Sequence, residues 1–197
     1  MSNAAVIVDS RKIDISIIKA HMDHLPGYDL HIWSTHLPEN TAHYFHTYVG
    51  GGGSDYNSFL TRPSFWKELC DYDNVVVFQQ DSMILRDGIE DFEGFDYVGA
   101  PWKFGVPWGR PDRAGGNGGL SLRNPKAHYD LTIKKPYSGK YGNEDVYFSH
   151  YLPNVAPFEV CSLFSCETVF KLGTLGYHAI EKHLPVNEVN RIKSQYY

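Results

Sequence analysis

Asp81 closes the stretch Asn74-Val75-Val76-Val77-Phe78-Gln79-Gln80-Asp81-Ser82, where a run of β-branched and aromatic residues stops on two carboxamides, a carboxylate and a hydroxyl. The run has the composition of a fully buried strand. A buried strand that delivers polar groups to the crevice beyond its carboxyl end is how open α/β sheets build ligand sites. On that reading Asp81 is the pivot of a metal or phosphate site; the plain alternative is a strand ending in a polar turn. Glu144-Asp145 opens a second candidate stretch, ahead of Val146 to Tyr151. A carboxylate there that faces a pocket accepts a proton from a hydroxyl. Acidic residues at a helix start also complement the helix dipole, which needs no chemistry at all.

Gly116-Asn117-Gly118-Gly119 forms a third polar cluster. Its glycines permit positive φ or close backbone approach and would present Asn117 to a ligand from a tight bend; an ordinary Asn-Gly hairpin turn fits equally well. The run Gly50 to Gly53 lacks the Lys-Ser/Thr of a Walker loop and reads as a surface loop. The ten histidines include His21/His24 and His43/His46 at i,i+3 spacing, but no HExxH motif occurs. His178 stands apart, because it follows Gly176-Tyr177 in a glycine-bearing tail that is placed to fold back over a site.

The elements that must position these groups follow from the pattern. Ala4 to Val8 reads as a strand, Asp14 to His24 as a helix capped by Asp14 or Ser16, and Tyr28 to Trp33 as a second strand. Strand, helix and strand within the first 33 residues make a βαβ unit and hence a parallel sheet. Helices are expected over Glu39 to Tyr48, from Pro63 through Cys70, over Lys126 to Ile133 and over Val146 to Tyr151, with a short helix or turn in Gly88 to Phe95. Further strands are expected at Asp96 to Ala100, Leu120 to Arg123 and Val155 to Val160. Lys103 to Gly115 reads as a loop long enough to have a task, and Asn190 to Tyr197 as a polar frayed end or a linker to something further on.

Composition sets the outer bounds. The 197 residues suffice for one α/β core, so one domain is expected over 1–197. A net charge of −5 with no basic cluster argues against nucleic acid. Aromatics make up 15%, including 14 Tyr and 4 Trp, which suits a cleft that stacks on rings and binds hydroxyl-rich ligands such as carbohydrate; a Tyr-rich core accounts for the same numbers. Three cysteines without CxxC pairs fit free thiols in a reducing compartment. The early apolar run is too short for a signal peptide or membrane span, so a soluble, cytoplasmic protein is expected.

Taken together, Phe78-Gln79-Gln80-Asp81-Ser82, Asp96 to Trp102, Gly116 to Arg123 and Glu144-Asp145-Val146-Tyr147-Phe148-Ser149 come in an order that resembles small GT-A-fold glycosyltransferases. The chain is most similar to a glycosyltransferase-like family of bacteria, fungi and large viruses, including chlorovirus enzymes of capsid-glycan synthesis, whose members would work in the host cytoplasm. The likeness runs from Val6 to His178, and Glu144-Asp145-Val146 also resembles the corresponding motif of beta-1,3-galactosyltransferases and Fringe. It implies a Rossmann-like GT-A single domain with a central, mostly parallel mixed sheet flanked by helices. Because the chain is short for a complete glycosyltransferase, it also leaves open that this is one domain of a longer polypeptide.

The resemblance further implies a nucleotide-sugar donor, most simply a UDP-sugar, held by Val8, Asp9, Ser10, Arg11, Gln79 and Gln80. Mn²⁺ or Mg²⁺ would sit on Asp81 and His178, with diphosphate oxygens completing the shell. The DxD motif usual at that place reads Gln79-Gln80-Asp81, so its first carboxylate is missing. Asp145, with Glu144, would be the catalytic carboxylate, acting as base in an inverting transfer and on the sugar centre itself in a retaining one. Trp102, Asn117, Gly118 and Gly119 would border the sugar and a glycan or glycoprotein acceptor, and Arg11, Arg113 or Arg123 would supplement the metal. A different class remains beside this one: a non-catalytic nucleotide-sugar or carbohydrate-binding module that kept the fold and lost the DxD. A metal-dependent phosphohydrolase is a third.

Overall fold

The structure, a computed structural model, describes residues 2–36, 44–47, 53–104, 115–140 and 142–194, with the backbone alone at Tyr44, Phe45, Thr47, Gly53 and Ser54. The elements follow in chain order: β1 (Asn3–Asp9), α1 (Ile15–Met22), β2 (Asp29–Ser34), β3 (Tyr44–Thr47), α2 (Gly53–Leu60), α3 (Pro63–Lys67), β4 (Asn74–Phe78), β5 (Ser82–Ile84), a 3-10 turn (Ile89–Phe92) and β6 (Tyr97–Ala100). After them come β7 (Asn117–Arg123), α4 (Pro125–Lys134), α5 (Glu144–Tyr151), α6 (Phe158–Phe164), β8 (Ser165–Cys166), β9 (Gly176–His178), α7 (Ile180–His183) and α8 (Val186–Lys193).

The main sheet has the order β3-β2-β1-β4-β7-β6. β3, β2, β1 and β4 run parallel, whereas β7 is antiparallel to both β4 and β6. This is the α/β class that the first βαβ unit predicts and the mostly parallel mixed sheet that the resemblance implies. Strand alternation assigns the two faces: Ala5, Ile7, Ile32, Val76 and Phe78 pack with Ile18 of α1 and Phe164 of α6. Ala4, Val6, Val8, Val75 and Val77 pack on the other side with Phe65 and Trp66 of α3 and Tyr147 and Phe148 of α5. With both faces covered, β4 is buried along its whole length, which is why its sequence is unbroken apolar rather than alternating.

Local signals explain the helix ends. Asp14 accepts a hydrogen bond from Ser16 N at 2.9 Å and caps α1, and Asn124 caps α4 by accepting from Ala127 N at 3.0 Å, with Pro125 as first helical residue. Several expectations are corrected. Residues 44–47 of the expected Glu39–Tyr48 helix form an edge strand parallel to β2, as their aromatic and β-branched residues favour; the remainder of that helix lies outside the described residues. Val155 makes a single bridge to Tyr97, and the strand expected from there to Val160 gives way to α6 because Pro157, at the helix N-cap, has no N–H for a ladder.

Asn117 to Gly119 belong to β7 instead of a hairpin bend. Within residues 115–119 positive φ is confined to Gly115 (51°) and Gly116 (110°), beside a register shift at Gly99/Ala100. There a Cβ on Gly116 would fall 2.2 Å from the Ala100 carbonyl oxygen, so the close approach excludes a side chain. The expected frayed end is α8 as far as Lys193, held by buried Val189 and Ile192. Of the glycine run only Gly53 is described, as the first residue of α2, and most of the Lys103 to Gly115 loop, with Arg113, lies outside the described residues. A second sheet, β5-β9-β8, packs beside the first and brings the tail back to the strand ends. Among the described residues no helix is long and apolar enough to cross a membrane.

Candidate functional site

The carboxyl ends of β1 and β4 open on the same side, and β7, being antiparallel to β4, brings its first residues there as well. Those ends, the first turn of α5 and the end of β9 enclose a cavity of about 480 Å³. Val8, Asp9, Ser10, Arg11, Gln79, Asn117, Gly118, Gly119, Glu144, Asp145 and His178 line it. Tyr56 and Asn57 of α2 and Asn143 before α5 complete the wall; only the fold brings α2 there, so no sequence spacing pointed to the first two. Asn143 sits inside the Gly142-Asn143-Glu144-Asp145 stretch and was within reach of a closer reading.

Gln80, Asp81 and Trp102 are not part of that lining. Both ends of the Gln80 carboxamide are engaged: Nε2 donates to Asp9 Oδ2 at 2.7 Å, and Oε1 accepts from Asp14 N, at the cap of α1, at 2.9 Å. Asp9 also accepts from Arg11 N and from both Nε and Nη2 of its side chain. Burial works against that carboxylate, yet the Arg11 and Gln80 hydrogen bonds hold its pKa below the usual range. The segment after β1 is thereby fixed in shape, while Arg11 itself remains largely exposed at the mouth.

Asp145 sits on the first turn of α5 and is almost fully buried. Its Oδ2 accepts from Gly118 N at 3.2 Å and its Oδ1 from Val146 N at 2.7 Å. Burial and the neighbouring Glu144 carboxylate push its pKa up to about 7, against the opposing pull of those N–H donors and Arg123. A carboxyl that titrates at neutral pH inside a cavity has the strength general-base chemistry favours. Glu144 is occupied differently: Arg123, wholly buried, donates to its two oxygens at 2.8 and 3.0 Å. Arg123 also donates through Nε to Ser121 Oγ at 2.8 Å and lies 5.0 Å from the Tyr97 ring centroid. Of the two described arginines among these candidates, Arg123 is therefore committed to Glu144, whereas Arg11 lines the cavity.

At the other wall, His178 Nε2 lies 3.1 Å from Gln79 Oε1 and 3.3 Å from Asp81 Oδ1. Asp81 Oδ2 meets Lys182 Nζ at 2.6 Å. The hydrogen bond from His178 leads the causes that hold the Asp81 carboxyl far below its ordinary range. Burial opposes a charge on His178, but Asp81 and Glu167 outweigh it and raise its pKa to about 9. An imidazole nitrogen, a carboxylate oxygen and a carboxamide oxygen thus converge at the cavity edge. That donor set fits Mn²⁺ or Mg²⁺ only when a bound ligand supplies further oxygens. Among the described residues no group of three or more His, Cys, Asp or Glu is arranged to hold a metal. The residues therefore fit a cation shared with a phosphate ligand better than one caged by protein.

His21, His24 and His46 are not part of the cavity lining. His21 is fully buried, stacks on Phe78 with ring centroids 4.3 Å apart and contacts Ser82 Oγ through Nε2; burial lowers its pKa to about 4. His24 turns outward to Asp87. His46 stacks on Trp33 and contacts His31, while His43 lies outside the described residues.

Fold and cleft define an α/β protein with a polar cavity at the strand ends of a mixed sheet. Within that class, the chain belongs to the family described as "Protein of unknown function (DUF5672)", which it matches over residues 39–186. The matched span takes in Gln79, Asp81, Gly118, Asp145 and His178. No curated protein matches. Among solved structures the chain is similar to A197 from STIV, with a TM-score of 0.50 and 14% identity over 79% of this chain and 80% of that one. It also aligns with the apo-form glycosyltransferase GlyE of Streptococcus pneumoniae TIGR4, at a TM-score of 0.48 and 13% identity, over 79% of this chain and 44% of that one.

Proposed function

We propose that the protein transfers a glycosyl group from a nucleotide sugar, most simply a UDP-sugar, to a hydroxyl of a glycan or glycoprotein, with help from a divalent cation. The observation that carries this reading is that one cavity is lined by a buried carboxylate of neutral-range pKa, Asp145, and by His178 and Gln79, with Asp81 3.3 Å from His178 just outside the lining. Val8, Asp9, Ser10 and Arg11 line the cavity and would hold the nucleotide of such a donor, with the largely exposed Arg11 supplying a cation at the mouth. In the transfer, Asp145 takes the proton of the acceptor hydroxyl as its oxygen bonds to the sugar's C1, and the C1–O bond to the diphosphate breaks with its electron pair leaving on the diphosphate. Tyr56, Asn57, Asn117 and Asn143 offer hydroxyl and carboxamide groups of the kind that orient a sugar. Asp81 and His178, with Gln79 beside them, would hold Mn²⁺ or Mg²⁺, whose contribution when bound is Lewis-acid neutralisation of charge on the departing diphosphate.

Gln79 in place of a carboxylate, and Lys182 already on one oxygen of Asp81, favour a second reading as a nucleotide-sugar-binding module without turnover. Cleavage of a panel of labelled UDP-sugars, with and without Mn²⁺, separates the two. Release of UDP that depends on Mn²⁺ and disappears in Asp81→Ala supports the transferase; donor binding with no release under any condition supports the module. The anomeric form of the product then reads whether Asp145 serves as base in an inverting transfer or acts on the sugar centre in a retaining one.

A further inference from the structure

We propose that Glu167 is a positioning residue: it fixes the His178 ring so that Nε2 faces the cavity, a role that rests on the metal-assisted reading above and extends it outward by one layer. Glu167 directly follows β8, whose parallel pairing with β9 sets Ser165 against Gly176 and Cys166 against Tyr177. One more step in that register brings Glu167 beside His178. There its Oε1 lies 3.5 Å from His178 Nδ1 and 3.4 Å from His183 Nε2. The residue is 4% exposed, yet among the described residues its Oε2 has no hydrogen-bond partner, and neither has His178 Nδ1. A buried carboxylate is costly to keep unless donors or positive charge face it, and two histidine edges face this one. A small shift closes the Nδ1 contact to hydrogen-bond distance.

The rest of the ring's surroundings leave the same orientation. A Cβ on Gly119 would fall 2.2 to 2.4 Å from Nε2, Cδ2 and Cε1 of His178, so β7 presses on the ring and gives it no room to turn that way. Gln79 and Asp81 meet the Nε2 edge, and Glu167 meets the Nδ1 edge. A histidine ligand is most effective when its second nitrogen is tied to a carboxylate, which sets the tautomer, holds the ring plane and raises the donor strength of the free nitrogen. Glu167 stands at that second nitrogen. His183 lies on the far side of the carboxylate, is more exposed and is not part of the cavity lining.

The test is Mn²⁺ affinity in the presence of UDP, read from the electron paramagnetic resonance of free Mn²⁺, for the wild-type chain, Glu167→Gln, Glu167→Asp, Asp81→Ala and His183→Gln, each with a thermal melt. Glu167→Gln should weaken Mn²⁺ binding by about ten- to a hundredfold while melting near the wild type without metal and binding UDP alone as before. Glu167→Asp, which keeps the charge one methylene short, should fall between the two, and His183→Gln should match the wild type. Wild-type Mn²⁺ affinity in Glu167→Gln, with binding lost in Asp81→Ala, overturns the role of Glu167 and leaves the metal reading standing. Absence of Mn²⁺ binding by the wild-type chain removes both. Should Glu167→Gln fail to fold, unweakened binding in Glu167→Asp overturns the proposal.

Discussion

At the scale of single residues, Asp145 and His178 show how burial sets chemistry in opposite directions. Asp145 is buried beside another carboxylate, and its pKa rises to about 7. It must be ionised to take a proton, so transfer activity is expected to climb with pH through about 7. Asp145→Asn should retain donor binding while transfer drops about 10²- to 10⁴-fold; isothermal calorimetry and a transfer assay on one preparation check both halves. His178 is buried between carboxylates, and their charge outweighs burial and lifts it to about 9. A histidine raised above its ordinary value of 6.5 lends stability that is fully present below 6.5 and is lost as pH rises through about 9. Melts of the EDTA-treated chain across that window should therefore show a decline that His178→Gln lacks.

At the scale of elements, the cavity is a product of one reversed strand. β7 runs against β4 and pairs Leu120 with Phe78, so Asn117, Gly118 and Gly119 pass directly over the carboxyl end of β4. Gly118 and Gly119 are needed there for space rather than for positive φ: a Cβ on Gly118 would fall 2.5 Å from Glu144 Oε1, and one on Gly119 would strike the His178 ring. Gly119→Ala is expected to swing that ring away, to weaken Mn²⁺-dependent UDP binding by about tenfold or more and to leave the sheet intact; calorimetry with a parallel melt checks this. The glycines were legible in the sequence as a place of close approach. Their setting was not, since Asn-Gly looks alike in a hairpin turn and at the start of a strand. Neither was the small β5-β9-β8 sheet, whose strands of two and three residues carry too few positions for any periodicity.

At the scale of the whole molecule, the Arg123–Glu144 pair ties β7 to α5 beneath the cavity, inside a wall of aromatic rings. Removing one partner strands a buried charge, so Arg123→Met should cost about 3–5 kcal/mol and lower the melting temperature by roughly 10 °C for a chain of this size. Adding Glu144→Gln should recover part of that loss, and differential scanning calorimetry of the single and double variants measures both. The sequence by itself determined the α/β class, the buried central strand, the capped first helix and the polar clusters at Asp81, Asn117 and Asp145, because strand burial, helix caps and glycine runs are local or short-period properties of the chain. Only the tertiary structure decided that Gln79 and His178 line the cavity while Gln80 is spent on Asp9 and the cap of α1, that Arg123 occupies Glu144 and leaves Asp145 to face the site, and that Tyr56 and Asn57 belong to the wall. Those outcomes depend on contacts between residues from 21 (Arg123–Glu144) to 99 (Gln79–His178) positions apart, and no local pattern records which distant group a side chain will meet.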